Sequence, residues 1–596
     1  MDSNVRRRSF LAKGGASVAG LAGIGGAAGR TGAGATAQRD EDRVAAVVSQ
    51  HHRATEAGLE VLEAGGTAAD AAVAVACALS VVEPWFSSAL GGGTWALYYD
   101  AETDEVTSLD GVGPVGSDAT RADYEERADE AGIHQAVVPG AWDGWMLWLE
   151  RYGGLELEDV LSPAIDIARG GYEVSPGMAR WLENESSEID DRPDAAAIYE
   201  RDGDLLEEGE TAYQEEMAGT FEALAEAYAD RRDEGRTEAI QAARDSFYRG
   251  PIAEEIVAYS DEHGGYLTRS DFAEFEAEIV DPLSIEYDDD ARVYQNPPNS
   301  QGITQLLALD VLKEYDLSGL EPDGADAVHL QVEAIKLAFA DRYHHVGDPD
   351  RVEVPVDELL ADEYAASQRD RIDTERAMEW PLESGLDEQG GDETTVTEAG
   401  DADHTTTFHV VDGEGNAAAV TTSLGAQFLV IGDTGVHVNN RMRMLALEED
   451  DPNRLTPGYK VRHTSNPYLA TRDGRPSVLG GTTGVDTQPQ GQTQQFLHAV
   501  EFGLEAEETV AHPRFVSTAF PSTQYPYDVD NALQLESAFP EETVRELEER
   551  GHDVEVGTGT VGTATMLLLE DDGGVQVGAE PRVETAEGDV LWEDES

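Results

Sequence analysis

Cysteine is almost missing from this chain of 596 residues: Cys77 stands alone, which excludes an intrachain disulfide, and its apolar helical surroundings point to a core position. Lysine is nearly as rare. Lys13, Lys313, Lys336 and Lys460 are the lysines, and arginine supplies every other cation. No stretch approaches ~18 uninterrupted apolar residues, which excludes a membrane-spanning helix. Positive charge is scarce as a whole, with 40 Lys plus Arg against 121 Asp plus Glu and a formal charge of -81. A surface of that sign repels nucleic acid and anionic lipid, so neither is expected as a partner. General disorder is excluded as well, because 40% of the residues are apolar and fall in helical or strand periodicity.

What is present begins with a basic N-terminus. Residues 6 to 13 read Arg-Arg-Arg-Ser-Phe-Leu-Ala-Lys, followed by a Gly/Ala-rich run and then Ala35-Thr36-Ala37. This resembles a twin-arginine export signal over residues 1–37, with Arg7 and Arg8 as the pair and a mature chain starting near Gln38. A basic tail that merely contains arginines is the alternative. The product is expected outside the cell or at its surface, and soluble.

Residues 53 to 64 form an amphipathic helical pattern closed by Gly65-Gly66. Thr67 and Asp70 have capping-box spacing, and Ala71 to Val82 is apolar nearly all round, which predicts an interior helix. Strands are expected over Thr94 to Tyr99 and Val106 to Leu109. Residues 155 to 280 read as mostly helical, and 325 to 341 as another amphipathic helix. Residues 383 to 404 are acidic, rich in Gly, Thr and Asp and poor in large apolar side chains, as in an exposed loop. The pattern then changes abruptly. Thr405 to Val411 and Ala417 to Leu424 read as the two strands of a hairpin around Asp412-Gly413-Glu414-Gly415-Asn416.

At this junction Asp403-His404-Thr405-Thr406-Thr407-Phe408-His409-Val410-Val411-Asp412, with Gly415-Asn416-Ala417-Ala418-Ala419-Val420-Thr421, resembles the maturation site of the γ-glutamyltranspeptidases. Further matching runs occur in the family's order: Ala64 to Ala74, Leu90-Gly91-Gly92-Gly93, Val138-Pro139-Gly140, Asn296 to Gly302, Ala340-Asp341-Arg342 and Gly347-Asp348-Pro349. The resemblance implies a four-layer αββα N-terminal-nucleophile hydrolase, with two central, mainly antiparallel sheets between helices. It also implies self-cleavage between His404 and Thr405, giving a large chain 38–404 and a small catalytic chain 405–596 that remain associated. A threonine hydroxyl is a poor nucleophile until a base takes its proton. A freed α-amine, with a reference pKa of about 7.7–8.0, is a suitable base on the same residue.

By the same resemblance, the backbone N–H groups of Gly484 and Val485 are candidates for the oxyanion hole, Val485 replacing a family glycine. Ser423 takes the place of a threonine that supports the nucleophile. The substrate pocket departs from the pattern. Val112 stands where an arginine is sought for the substrate's α-carboxylate, Gly425, Arg441 and Met444 replace the side chains that hold the α-ammonium, and His463-Thr464 replaces a serine pair. An arginine repels an ammonium group, so the pocket is read as remodelled. The runs Asn439-Asn440-Arg441 and Asp486-Thr487-Gln488-Pro489-Gln490 resemble a divergent branch that includes oxamate amidohydrolase and cephalosporin-acylase-like proteins. There Arg441 can meet a substrate carboxylate, or alternatively form a structural salt bridge.

The expected partners are a small amide substrate and water, or an amino acid or peptide acceptor. No cofactor and no metal are implied. A metal hydrolase finds no H-E-x-x-H among the 14 histidines, and a serine hydrolase finds no G-x-S-x-G. A binding protein that keeps the fold without maturing is the rival from another class.

The acidic, lysine-poor composition resembles that of proteins from salt-loving organisms. At about 1 M salt the Debye length is about 3 Å, which screens the self-repulsion of the folded state. The thermal unfolding midpoint should therefore fall steeply on transfer from molar to millimolar salt; an unchanged midpoint would reduce the composition to ordinary acidic solubility.

Overall fold

The computed structural model describes residues 5–11, 44–386 apart from 129, and 405–593 apart from 426–427, 525–526, 528 and 558–560. Residues 387–404 of the expected loop, His404 included, lie outside the described residues, as does most of the expected export signal. Of that signal, Val5–Leu11 forms an edge strand antiparallel to Glu587–Glu593.

Two sheets make the centre, as the resemblance implies. The first has eight strands, and next to Glu587–Glu593 it runs through Val44–Ser49, Thr405–Val411, Ala417–Ser423, Gly93–Asp100 and Glu105–Gly111. The second has six, with Ala291–Gln295, Tyr468–Arg472, Arg475–Thr482 and Ala564–Leu569 in its middle. Every pairing in these two sheets is antiparallel.

Strand parity decides what each face meets. In the expected hairpin, Phe408 and Val410 join the core made with the helices, whereas Val411 joins Leu469, Leu479 and Leu567 of the opposite sheet. Thr405, Thr407 and His409 share the parity of Val411 and so face the second sheet. Thr565 Oγ1 donates to Thr407 O at 3.2 Å, and His409 Nε2 lies 3.1 Å from Thr565 O. Burial pulls the His409 pKa down to about 3, which keeps its ring neutral between the sheets.

Helices cover both outer faces. Ala68–Val82 is buried at every position, as its apolar sequence predicts, and Thr67 and Asp70 close the expected capping box. The hairpin turn helps hold this helix, because Asp412 Oδ2 accepts from Ala68 N at 2.8 Å. On the other side Ile303–Leu312 and Thr487–Val500 back the second sheet. The helix Ala325–His345 corrects the amphipathic reading of 325 to 341. All of it from Ala327 to Arg342 is buried, because it lies between the helices of the second sheet and a peripheral three-stranded sheet that starts at Phe515. Cys77 is buried, as expected. Among the described residues no helix is long and apolar enough to cross a membrane.

The sheets approach so closely at Gly481 that a Cβ there would lie 2.1 Å from Thr407 Oγ1. Gly481→Ala is therefore expected to destabilise the fold by about 1–3 kcal/mol, measured as a lower urea midpoint at constant molar salt. A neutral substitution would mean that this contact does not set the sheet spacing.

Candidate active site

The hairpin register places Thr405 opposite Ser423, and Ser423 in turn opposite Gly93 on the next strand. Thr405 Oγ1 and Ser423 Oγ are 3.0 Å apart, and Thr405 is only 2% exposed. Val44–Ser49 pairs with residues 409–411 of the hairpin, so its ladder stops short of Thr405. That leaves Thr405 at the end of its strand, held from the second sheet by an amide: Gln488 Nε2 donates to Thr405 Oγ1 at 3.4 Å. Gln488 is fully buried, and among the described residues its Oε1 has no partner.

Gln488 lies in the first turn of helix Thr487–Val500, which follows the turn that leaves strand Arg475–Thr482. Gly484 (φ 95) and Val485 (φ 54) both take the left-handed region there. For a β-branched residue that conformation costs on the order of 1–3 kcal/mol and persists only where the surroundings impose it. Among the described residues neither N–H donates a hydrogen bond. Both carbonyls are engaged: Gly484 O accepts from Thr487 N at 2.9 Å, and Val485 O from Gln301 Nε2 at 2.8 Å. Two unengaged N–H groups on a fixed turn are the donor arrangement an oxyanion needs.

The motif Asn296 to Gly302 explains how the loop carrying His463 and Thr464 is held. Asn299 O accepts from His463 N, Gln301 Nε2 also donates to Thr464 O at 3.0 Å, and Ser300 Oγ donates to Ser465 O at 2.9 Å. Gln301 therefore ties Thr464 to Val485. Arg342, buried in the Ala340-Asp341-Arg342 motif, donates to Gln301 Oε1 at 2.7 Å and pairs with Asp486 beside the turn.

Arg441 lies beside Gly425. Its Nε donates to Leu424 O at 3.1 Å, and a Cβ on Gly425 (φ 111) would lie 2.3 Å from its Nη2. The residue is 3% exposed, yet among the described residues no carboxylate pairs with it. Burial, and then the charge of Arg443, pull its pKa down to about 9. His463 is nearby: burial first, and then Arg441, hold its pKa well below the usual imidazole value. Its Nδ1 accepts from Ser465 N at 3.2 Å, which leaves the proton on Nε2. That Nε2 lies 3.3 Å from the Cβ position of Gly93, and Val112 Cγ2 lies 3.5 Å from the same point. The site where the resemblance seeks an arginine thus holds an apolar side chain facing the candidate pocket. Among the described residues, His463 Nε2 and Thr464 Oγ1 are both buried without partners.

The structure therefore brings Thr405, Ser423, Gly425, Arg441, His463, Thr464, Gly484 and Val485 to one end of the sandwich. The sequence reading did not assign Gln488 or Gln301. A signal existed for the first: Gln488, Gln490, Gln492, Gln494 and Gln495 are all buried on one helix, and so amide-rich a stretch needs polar partners in the interior. One histidine group elsewhere has metal-ligand chemistry, His329, Glu333 and His552. There Lys336 Nζ already neutralises Glu333 at 2.7 Å and the two imidazoles bond each other at 2.8 Å.

A family model described as gamma-glutamyltranspeptidase matches residues 54–589. The chain is 33% identical to the glutathione hydrolase-like YwrD proenzyme of Bacillus subtilis (strain 168), over 90% of this chain and 96% of that protein. It is 29% identical to the oxamate amidohydrolase proenzyme of Klebsiella pneumoniae subsp. pneumoniae, covering 90% of this chain and 96% of the relative. The crystal structure of cephalosporin acylase from Bacillus halodurans superposes with a TM-score of 0.79 at 28% identity, covering 94% of this chain and 98% of that one.

Ser423→Ala should slow turnover about tenfold, the order expected for one lost hydrogen bond to the reacting oxygen, while Ser423→Thr restores it. Equal loss in both variants, read as kcat at unchanged circular dichroism, would make Ser423 a packing residue only.

Proposed function

The chain belongs to the γ-glutamyltranspeptidase family and is an N-terminal-nucleophile hydrolase, and on that premise we propose that it is a self-processing threonine amidohydrolase for a carboxylate-bearing amide. The observation that carries this reading is Thr405 Oγ1 at the start of a buried strand, bonded to Ser423 and Gln488.

In maturation Thr405 Oγ attacks the carbonyl carbon of His404, and the acyl group moves from nitrogen to oxygen. Water then hydrolyses the ester, giving a carboxylate on His404 and a free α-amine on Thr405. The amine becomes the base for the next reaction. It takes the proton of Thr405 Oγ as that oxygen attacks the substrate amide, and the N–H groups of Gly484 and Val485 stabilise the oxyanion. The proton passes to the departing amine as the C–N bond breaks. Water, activated by the same α-amine, releases the acid and regenerates the hydroxyl. Gln488 Oε1, otherwise unpartnered, is available to orient the α-amine.

Arg441 is the group to which the substrate's carboxylate binds. A buried guanidinium without a counter-ion among the described residues gains most from an anion that arrives with the substrate. No residue set for an amine acceptor is evident, so hydrolysis is expected to exceed transpeptidation. Glutathione and other γ-glutamyl amides remain within the proposed range of donors. The export reading is kept as part of the proposal: cleavage after Ala37 would remove the edge strand Val5–Leu11 and leave Val44–Ser49 as the first strand of the mature protein.

Mass spectrometry of purified protein should find two chains, the smaller beginning at Thr405, and Thr405→Ala should stay whole and inactive. Adding glycylglycine should leave the rate within about twofold. An alanine variant that still splits and turns over amides would overturn the mechanism.

A further inference from the structure

Val485 holds a backbone conformation that its own side chain opposes. At φ 54 a branched Cβ crowds the chain, so something outside the residue must keep it there. Its carbonyl accepts two bonds. One comes from Gln488 N in the following helix and is long, 3.4 Å; the other, from Gln301 Nε2, is 2.8 Å and reaches the turn from a distant part of the chain.

Gln301 is itself fixed at every polar atom. Its backbone N–H donates to His463 O at 3.0 Å, its carbonyl accepts from Thr304 N at 3.0 Å, and its second amide hydrogen goes to Thr464 O at 3.0 Å. Oε1 accepts from Arg342 Nη1 at 2.7 Å. Arg342 is held in turn by Thr523 Oγ1 at 3.0 Å, by Pro521 O at 3.1 Å and by its ion pair with Asp486. Asp486 follows Val485 directly. The contacts therefore close a ring: Val485 O to Gln301, Gln301 to Arg342, Arg342 to Asp486, and back along the main chain. With the Val485 carbonyl pinned in this ring, φ at 485 decides where the preceding peptide, and so the Val485 N–H, points. Relaxation to negative φ would turn that N–H away from its present direction.

We propose that Gln301 is the positioning residue of the oxyanion turn: it keeps a branched residue at positive φ and thereby keeps the Val485 N–H aimed at the reacting carbonyl. This rests on the reading of Thr405 as nucleophile and adds the side chain that prepares its oxyanion site. Because the same amide holds Thr464 O, the turn and the loop beside the candidate pocket share one support. The support is needed because of the Val485 side chain. Glycine takes positive φ about as readily as negative, so glycine at 485 should make Gln301 dispensable.

The test compares Gln301→Met in two backgrounds, wild type and Val485→Gly, with glutaryl- and L-γ-glutamyl-p-nitroanilide in molar salt. Methionine keeps the length of the side chain and removes both donors. With Val485 present, kcat should fall about 100-fold, the order for one lost oxyanion donor, while KM stays within about threefold. In the Val485→Gly background the same change should cost less than about threefold, because the two positions are coupled. Equal losses in both backgrounds overturn the proposal, and so does a loss confined to KM, which would assign Gln301 to the Thr464 loop alone. Crystal structures supply a readout that does not depend on turnover: residue 485 should move to negative φ in Gln301→Met and stay positive in the double variant. Val485 still at positive φ without Gln301 overturns the proposal. Wild-type protein that hydrolyses neither anilide counts against the Thr405 reading, and the crystallographic comparison then decides on Gln301. Where Gln301→Met does not fold, Gln301→Glu, which keeps the volume and the acceptor for Arg342 but loses both donors, is held to the same criteria.

Discussion

The 3.0 Å contact between the hydroxyls of Thr405 and Ser423 depends on one strand register, and the rest of the site is built around it. A slip of one residue would turn Thr405 towards the helices and bring Thr406 to the second sheet. Three features oppose that slip. Thr407 and His409 are bonded to the facing strand at Thr565, Gly481 leaves room only for the side chain at position 407, and Asp412 fastens the hairpin turn to the interior helix. The candidate nucleophile is thus fixed by the packing of the whole sandwich and not by a local loop.

Much of this frame was legible in the sequence because it rests on local rules. Alternation marked both hairpin strands, Thr67 and Asp70 marked the helix start, and the unbroken apolar run from Ala71 to Val82 marked its burial. The helix at 325 was misjudged for a physical reason: its charged residues Glu333 and Lys336 neutralise each other in the interior, and residue type alone gives no sign of such a pair. The pocket was legible only in outline. Gly425, Arg441 and His463 come from separate loops, and whether Arg441 had an acidic partner was a question about tertiary neighbours. The left-handed φ of Val485 was equally hidden, since valine is among the residues least expected there.

In a chain with a charge of -81, Arg441 is buried with no carboxylate in contact among the described residues. Arg244 meets Asp143, Arg342 meets Asp486 and Arg514 meets Glu580, whereas Arg462, equally buried, has no acid in contact among the described residues and directs Nη1 at the carbonyls of Arg342 and Val346. A surface of this charge would also repel the proposed anionic substrate over long range in dilute buffer. Molar salt removes that barrier, whereas the short-range pairing inside the pocket is screened much less.

The strand order also bears on what a cut before Thr405 would do. In the first sheet Thr405–Val411 lies between Val44–Ser49 and Ala417–Ser423, and Ala417–Ser423 pairs on its far side with Gly93–Asp100. Glu587–Glu593 adds to the outer edge of Val44–Ser49, so this strand from before residue 405 is flanked on both sides by strands from after it. In the second sheet Ala291–Gln295 pairs with Tyr468–Arg472 in the same way. Separating the two pieces would break ladders in both sheets and open the apolar layer between them. Breaking one peptide bond at the end of a strand, by contrast, removes no ladder hydrogen bond among the described residues. The fold can therefore lose that bond, keep its structure, and gain an amine beside the one hydroxyl that is positioned to use it.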